Sequence, residues 1–367
     1  MSTVEQIPTA TTEEAEAFVG RLFEGALGTV DILTVYIGDR LGLYRALQER
    51  DMTPAELAAR CSIDERYSRE WLEQQAVTGI LMVDDASAPE DARRYSLPEG
   101  HALVLTDPDS AFSMAPVARA FVASAMVLPK ILDAFRTGGG VSWSDFGADG
   151  IEAQGDFNRP WLLSSFGTEY LPMIADVHER LRADPPARVA DFACGVGWAS
   201  IAMAEAYPKV MITGFDLDES SIAMARKNAS ERGVGDRVSF EVKDIAESSL
   251  DGGFDLVVVI EAIHDLSRPV EALRSIREVL APGGSAIVAD ENAKDAFAVP
   301  GDDLERLYYG FSVLCCLPAG MSEQPSAATG TVMRPDTMRS YAAQAGFADV
   351  EILDIPHDLL RFYRLRP

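Results

Sequence analysis

Twelve residues constrain the fold more than any other part of the chain: Val189-Ala190-Asp191-Phe192-Ala193-Cys194-Gly195-Val196-Gly197-Trp198-Ala199-Ser200. A short apolar run enters a Gly-x-Gly turn and leaves in small and apolar residues at helical spacing. That order predicts a strand, a tight turn and a helix whose bare N-terminal backbone a ligand can approach. The same alternation continues downstream. Strands are expected at 189–193, 211–215, 238–242, 256–260 and 286–289. Helices lie between them, for example 270–280 with Val270, Leu273, Ile276 and Leu280 on one face. Strands alternating with helices imply a parallel α/β sheet covered on both sides. Residues 350–355 and 360–365 add a closing antiparallel pair, which makes seven strands.

The strand ends suggest which nucleotide such a turn would serve. Asp216 ends the second strand 19 residues after Gly197, where ribose hydroxyls are bound in such folds. Asp244 follows the third strand, placed to accept from an adenine amino group. Asp191 precedes the turn, and Ser200 stands where a third glycine would complete GxGxxG. A dinucleotide sets a pyrophosphate on this turn, and a carboxylate beside it repels that group. A nicotinamide oxidoreductase is therefore disfavoured. A cofactor carrying an ammonium and a sulfonium but no phosphate, S-adenosylmethionine, suits Asp191.

The segment 191–200, Asp216, Asp244, Phe254–Val259 and Leu280-Ala281-Pro282-Gly283-Gly284 together resemble the class I methyltransferases. Ile263-His264-Asp265, residues 157–161 and the N-terminal pattern below narrow the likeness to bacterial small-molecule methyltransferases related to plant-type O-methyltransferases. The resemblance implies a Rossmann-like seven-stranded sheet behind a helical, winged-helix dimerisation domain. It implies three segments: 1–100 for dimerisation, 101–183 as connector and substrate lid, and 184–367 for the cofactor. The expected cofactor set is Asp191, Gly195, Gly197, Asp216, Leu217, Asp244, Ile245 and Glu261, with S-adenosylhomocysteine as product. Ala193 departs from the family's glycine; a negative φ would let alanine fit there.

In those relatives the His-Asp after strand four supplies the base and an acid after strand five orients it. This maps onto His264 and Glu291, with Leu266 in place of the usual tryptophan. A neutral imidazole suits proton removal from a hydroxyl near neutral pH. Glu169, among Phe166, Tyr170 and Leu171, is an alternative base for methylation at carbon of an isoprenoid or polyketide, provided an apolar wall surrounds it. Phe157, Trp161, Phe166, Tyr170 and Tyr309 are candidates for the acceptor pocket, and residues 310–330 for part of its lid.

Residues 13–47 carry apolar positions at helical spacing, and residues 1 to about 12 are polar and expected to fray. Thr53-Pro54-Ala55-Glu56 is a capping box with proline at the first helical position. A helix from Asp64 and two short strands around 84–93 then complete a winged-helix pattern. That module raises a second function, a transcriptional regulator that senses S-adenosylmethionine. Charge opposes it. The chain carries 32 basic and 58 acidic residues, and residues 1–100 hold 9 against 19, so phosphate neutralisation is poor. A homodimer through this half, no nucleic-acid partner and no membrane partner are expected. The longest apolar stretch, 111–135, is broken by Arg119, Pro129 and Lys130 and reads as a buried helix. The acidic N-terminus has no secretory pattern. Cys61, Cys194, Cys315 and Cys316 form no CxxC pair, so a cytoplasmic protein with reduced thiols and no metal site is expected.

Overall fold

The computed structural model describes residues 9–247 and 250–367. The chain forms two compact units, Met1–Val122 and Ala123–Pro367. Most of the stretch expected to fray, residues 1–8, lies outside the described residues. Residues 9–12 are already helical.

The first unit opens with α1 (Thr9–Arg40), α2 (Leu43–Glu49), α3 (Pro54–Cys61) and α4 (Glu65–Val77). The capping box at α3 is present in both directions: Thr53 accepts from the Glu56 backbone, and the Thr53 N–H reaches the Glu56 side chain at 2.9 Å. Asp64 caps α4 by accepting from the Arg66 and Tyr67 backbones. Strands β1 (Met82–Val83) and β2 (Tyr95–Ser96) pair antiparallel as the wing, and α5 (Glu99–Leu105) follows. Leu43, Tyr44, Leu47, Met52, Leu57, Trp71, Leu72 and Tyr95 form the core. Helix α1 comes so close that a Cβ on Gly38 would sit 2.4 Å from the Tyr44 ring. Its other faces stay open, with Phe18, Leu22, Phe23, Leu27 and Val30 all exposed. The basic residues of α4 are engaged with acids: Arg66 pairs with Glu70, and Arg69 with Glu90.

Helix α6 (Ala115–Thr137) contains the apolar stretch read as a buried helix. Only one face is buried. Ala123, Val127 and Ile131 point inward at a spacing of four, while Met126, Leu128, Leu132 and Phe135 are exposed. It is the one described helix long and apolar enough to cross a membrane. A 3₁₀ turn at Trp143–Phe146, α7 (Gly147–Trp161), a π-helical stretch at Leu162–Tyr170 and α8 (Ala175–Arg182) lead into the sheet.

That sheet has seven strands: β3 (Arg188–Phe192), β4 (Met211–Asp216), β5 (Val238–Val242), β6 (Phe254–Ile260), β7 (Leu280–Glu291), β8 (Asp349–Ile352) and β9 (Leu360–Arg366). Their order is β5-β4-β3-β6-β7-β9-β8, with β3 to β7 parallel and β9 antiparallel to both neighbours. Helices α9 (Trp198–Ala206), α10 (Glu219–Glu231), α11 (Pro269–Val279) and α14 (Pro335–Ala345) cover it. Between β7 and α14 lie α12 (Asp303–Phe311), a π-helical turn at Ser312–Cys316 and α13 (Leu317–Gly320). The chain winds outward from β3 to β5, then restarts on the other side of β3 at β6. A crevice opens at such a reversal beyond the carboxyl ends of the strands, which places the site.

Candidate active site

The crevice at that point has a volume of about 440 Å³ and is lined from four directions. The turn after β3 contributes Asp191, Ala193–Val196, Trp198 and Ala199, while Gly197 sits behind the wall; the ends of β4 and β5 contribute Asp216–Asp218 and Lys243–Ala246. The end of β6 contributes Ile260–Ala262 and Asp265–Arg268. Across from the sheet stand Ser142–Ser144, Ile151, Gln154, Gly155, Asn158 and Leu162, with Ala319, Ser322 and Glu323 from the segment after α12. Asp191, Asp216, Asp218, Asp244, Glu261, Asp265 and Glu323 outnumber the basic Lys243 and Arg268. The crevice is a poor place for phosphate and a good one for a cation.

The residues expected at the cofactor end each have defined partners. Asp191 is buried and accepts from the Ser200 hydroxyl at 2.7 Å. Ser200, where the glycine motif would break, therefore fixes a carboxylate. Burial pushes the Asp191 carboxyl up to about 7, against the lowering effect of Ser200. Asp216 accepts from the Gly195 backbone at 2.8 Å and the Asp218 backbone at 2.9 Å, and burial raises its pKa too. Gly195 faces open space where a Cβ would stand. Gly197, at φ 84°, would drive a Cβ to 2.6 Å from the Phe240 ring. Trp198 lines the crevice, and its buried indole N–H lacks a hydrogen-bond partner. Asp244 accepts from the Ala246 backbone at 2.8 Å and is paired with Arg268. Leu217 is exposed and Ile245 buried, both on the crevice wall.

Ala193 does not keep a negative φ as expected. It sits at φ 54°, in the left-handed region, and so does Glu261 at 49°. Both are at carboxyl ends of strands flanking the crevice, and a left-handed alanine costs roughly 1–2 kcal/mol. Glu261 is held there by Gln154 at 2.8 Å and Asn158 at 2.6 Å, both donating to one carboxylate oxygen.

His264 lies in a 3₁₀ turn after β6 and is only 2% exposed. Its Nδ1 is 2.8 Å from Asp290 Oδ1 and 2.9 Å from Glu291 Oε2; its Nε2 is 3.2 Å from Asp265 Oδ1. Glu291, the expected orienter, is within reach, but the aligned hydrogen bond goes to Asp290, which the sequence reading missed. Adjacent acids at a strand end differ in direction, and β7 pairing decides which one turns toward β6. Burial opposes a charged imidazole, yet Asp265, Glu291 and Asp290 together outweigh it and hold His264 well above its ordinary pKa. Of the two neighbouring acids, Asp290 is lowered despite burial because it faces His264, and burial pushes Glu291 well up. Asp265 lines the crevice, and His264 stands immediately behind it.

Other expectations need correction. Glu169 is exposed and away from the crevice, so no apolar wall surrounds it. Phe157, Trp161, Phe166, Tyr170 and Tyr309 do not line the crevice. Phe166 is fully buried in the core. Trp161 packs on Phe166, Tyr170 and His357, and Tyr309 lies beside Phe297. The cause is helical phase. Residues 151, 154, 155, 158 and 162 share the crevice face, and 157 and 161 fall outside it. The aromatic lining residues are Trp143 and Trp198. The 310–330 segment does reach the site, where Ser267 donates to Gly320 O at 2.8 Å and pins it to the loop after β6.

Comparison with known proteins finds two matching family models, each over part of the chain. Residues 183–328 match the family model described as a methyltransferase domain, and residues 29–107 match an Rv2258c-like winged HTH domain. A 27-O-demethylrifamycin SV methyltransferase from Amycolatopsis mediterranei is 36% identical over 104 residues, 28% of this chain and 38% of that protein. The chain thus spans little more than a third of that relative's length. The mitomycin 7-O-methyltransferase structure covers 98% of this chain and 99% of its own, at 21% identity and TM-score 0.66. Human N-acetylserotonin methyltransferase, solved with S-adenosylmethionine, covers 100% and 99%, at 18% identity and TM-score 0.69. At these identities the two structures establish the fold.

Proposed function

We infer that this chain, an S-adenosylmethionine-dependent methyltransferase by its C-terminal domain and preceded by a winged helix-turn-helix domain, methylates a small, mostly apolar acceptor at a hydroxyl oxygen. The observation that carries the oxygen assignment is the His264–Asp290 hydrogen bond directly behind crevice-lining Asp265. The cofactor supplies a methyl group already activated on a sulfonium, so the protein aligns the partners and removes the acceptor's proton. Asp191 would hold the ammonium and Trp198 the carboxylate of the methionine end. Asp216 would hold the ribose hydroxyls. Asp244 would take the adenine edge in competition with Arg268.

His264 would take the hydroxyl proton at the Nε2 side, with Asp290 keeping Nδ1 protonated and stabilising the imidazolium that forms. Its raised pKa means that the neutral, accepting form appears only as the pH climbs above the ordinary histidine range. Turnover should therefore rise toward alkaline pH. The relatives are named for O-methylation of rifamycin- and mitomycin-type natural products, which supports an acceptor of that chemical kind. The exposed apolar faces of α1 support a homodimer through the N-terminal half, as does the acidic α4 against DNA binding. Light scattering of Leu22→Glu, which should shift a dimer toward monomer, tests that point.

The function itself is tested with His264→Ala. The variant should bind S-adenosylhomocysteine as the parent does, while turnover on a hydroxyl acceptor falls about 10²- to 10⁴-fold. Unchanged turnover would remove His264 from the chemistry. Protection from melting by NAD in place of S-adenosylhomocysteine would overturn the cofactor assignment.

A further inference from the structure

We propose that the pocket around His264 is also a binding site for one thiophilic divalent cation of the zinc class, held by His264 Nε2, Asp265 and Cys316 Sγ. These three side chains come from two segments, and their donor atoms all lie within 4.8 Å of one another. Residues 265 and 316 are far apart in sequence, so no spacing motif announces the set. The segments are held together where the Ser267 hydroxyl donates to Gly320 O at 2.8 Å and where a Cβ on Gly320 would stand 3.1 Å from the Asp265 carbonyl oxygen, close to the Ser312–Cys316 turn.

Three observations point to a ligand between these groups. Asp265 Oδ1 faces Nε2 at 3.2 Å but is buried without an aligned hydrogen bond. On the opposite, Nδ1 side of the ring, Asp290 Oδ2 and Glu291 Oε2 are likewise buried without hydrogen bonds, so three carboxylates surround one imidazole. A divalent charge offsets that excess. Finally, Asp290 holds Nδ1 in the manner of the carboxylates that orient metal-binding histidines, leaving Nε2 for the ion.

A nitrogen, an oxygen and a sulfur donor with one position open is a zinc-type set, in which neighbouring donors lie roughly 3.3–3.8 Å apart. Small side-chain rotations bring the present positions to that spacing. Asp265 lies on the crevice wall, which gives the ion an entry path. On binding, the Cys316 thiol proton and any proton on Nε2 leave to solvent, and no other bond changes. The ion then occupies the lone pair that the acceptor's proton needs, so zinc halts methyl transfer. This last consequence rests on His264 being the base; the binding does not.

The test is a titration of the full chain with Co²⁺, read by absorption, with Zn²⁺ as competitor. About one Co²⁺ per chain should give a near-ultraviolet thiolate charge-transfer band, displaced by Zn²⁺. Cys316→Ser should lose the band and Cys315→Ser keep it. Alkylation of the unmodified chain, mapped by mass spectrometry, provides a measurement independent of variant folding. Zn²⁺ should slow modification of Cys316 at least about ten-fold relative to Cys61. No thiolate band, or equal alkylation of Cys316 with and without Zn²⁺, overturns the site. A band accompanied by full turnover of the zinc-loaded enzyme keeps the site and instead removes His264 as base.

Discussion

Replacing Asp290 by asparagine isolates the interaction that sets the protonation of His264. The side chain keeps its shape and an oxygen for Nδ1–H, but its charge is gone. At an Nδ1–Oδ1 distance of 2.8 Å the charge centres are about 4 Å apart. With an effective dielectric near 20 this gives about 4 kcal/mol, or about 3 pKa units, as an upper bound. Glu291, 2.9 Å from the same nitrogen, cuts that figure. Burial and then the Asp290 charge push its pKa up, so losing Asp290 lowers that pKa and lets Glu291 take over some of the attraction. A downward shift of about 1–2 units is therefore expected. The sign follows from the raised pKa. Wild-type His264 stays imidazolium until high pH, so its proton-accepting form should appear at lower pH in Asp290→Asn. The same raised pKa contributes stability that is full below the unfolded value and lost as pH rises through the folded one, and the variant should lose this dependence. Histidine NMR across pH 5 to about 10 reads this without an acceptor. With four histidines in the chain, His264 can be assigned by substitution. An unchanged His264 titration in Asp290→Asn would refute the electrostatic account.

Three further outcomes follow from particular residues. Asp191 keeps a raised pKa of about 7, so the folded state binds a proton the unfolded chain has lost between about pH 4 and 7. Apo stability should fall across that window in wild type and stay flatter in Asp191→Asn, while affinity for S-adenosylhomocysteine drops about 10- to 100-fold; melting curves and calorimetry read both. Ala193→Gly should relieve a left-handed alanine and raise Tm by about 1–4 °C, since the relief slightly exceeds glycine's entropic cost. Phe166→Ala should destabilise by about 3–5 kcal/mol in denaturant titration and leave the acceptor KM unchanged in the surviving fold, because the ring is core.

Strand-helix alternation made the sheet and its crevice legible in advance. Each strand is a local apolar run, and parallel order requires the helices between. The turn after β3, Asp191, Asp216, Asp244 and the capping box at Thr53 were equally readable, because backbone geometry or capping ties those residue types to their positions. Facing direction was not readable. Phe157 and Trp161 are one helical phase away from Asn158 and Leu162, and composition does not fix that phase. The apolar neighbours of Glu169 suggest a buried carboxylate, yet its own side chain is exposed.

The sequence by itself determined the class of fold and the candidate cofactor end, whose residues all lie at or next to a strand end. Only the tertiary structure decided the surroundings of His264. Its partners Asp265, Asp290, Glu291 and Cys316 come from three separate segments, and their distances depend on strand register and on the packing of the segment at 312–320. Even the sign of φ at Ala193 was decided there, because the turn must clear the crevice whichever residue occupies it.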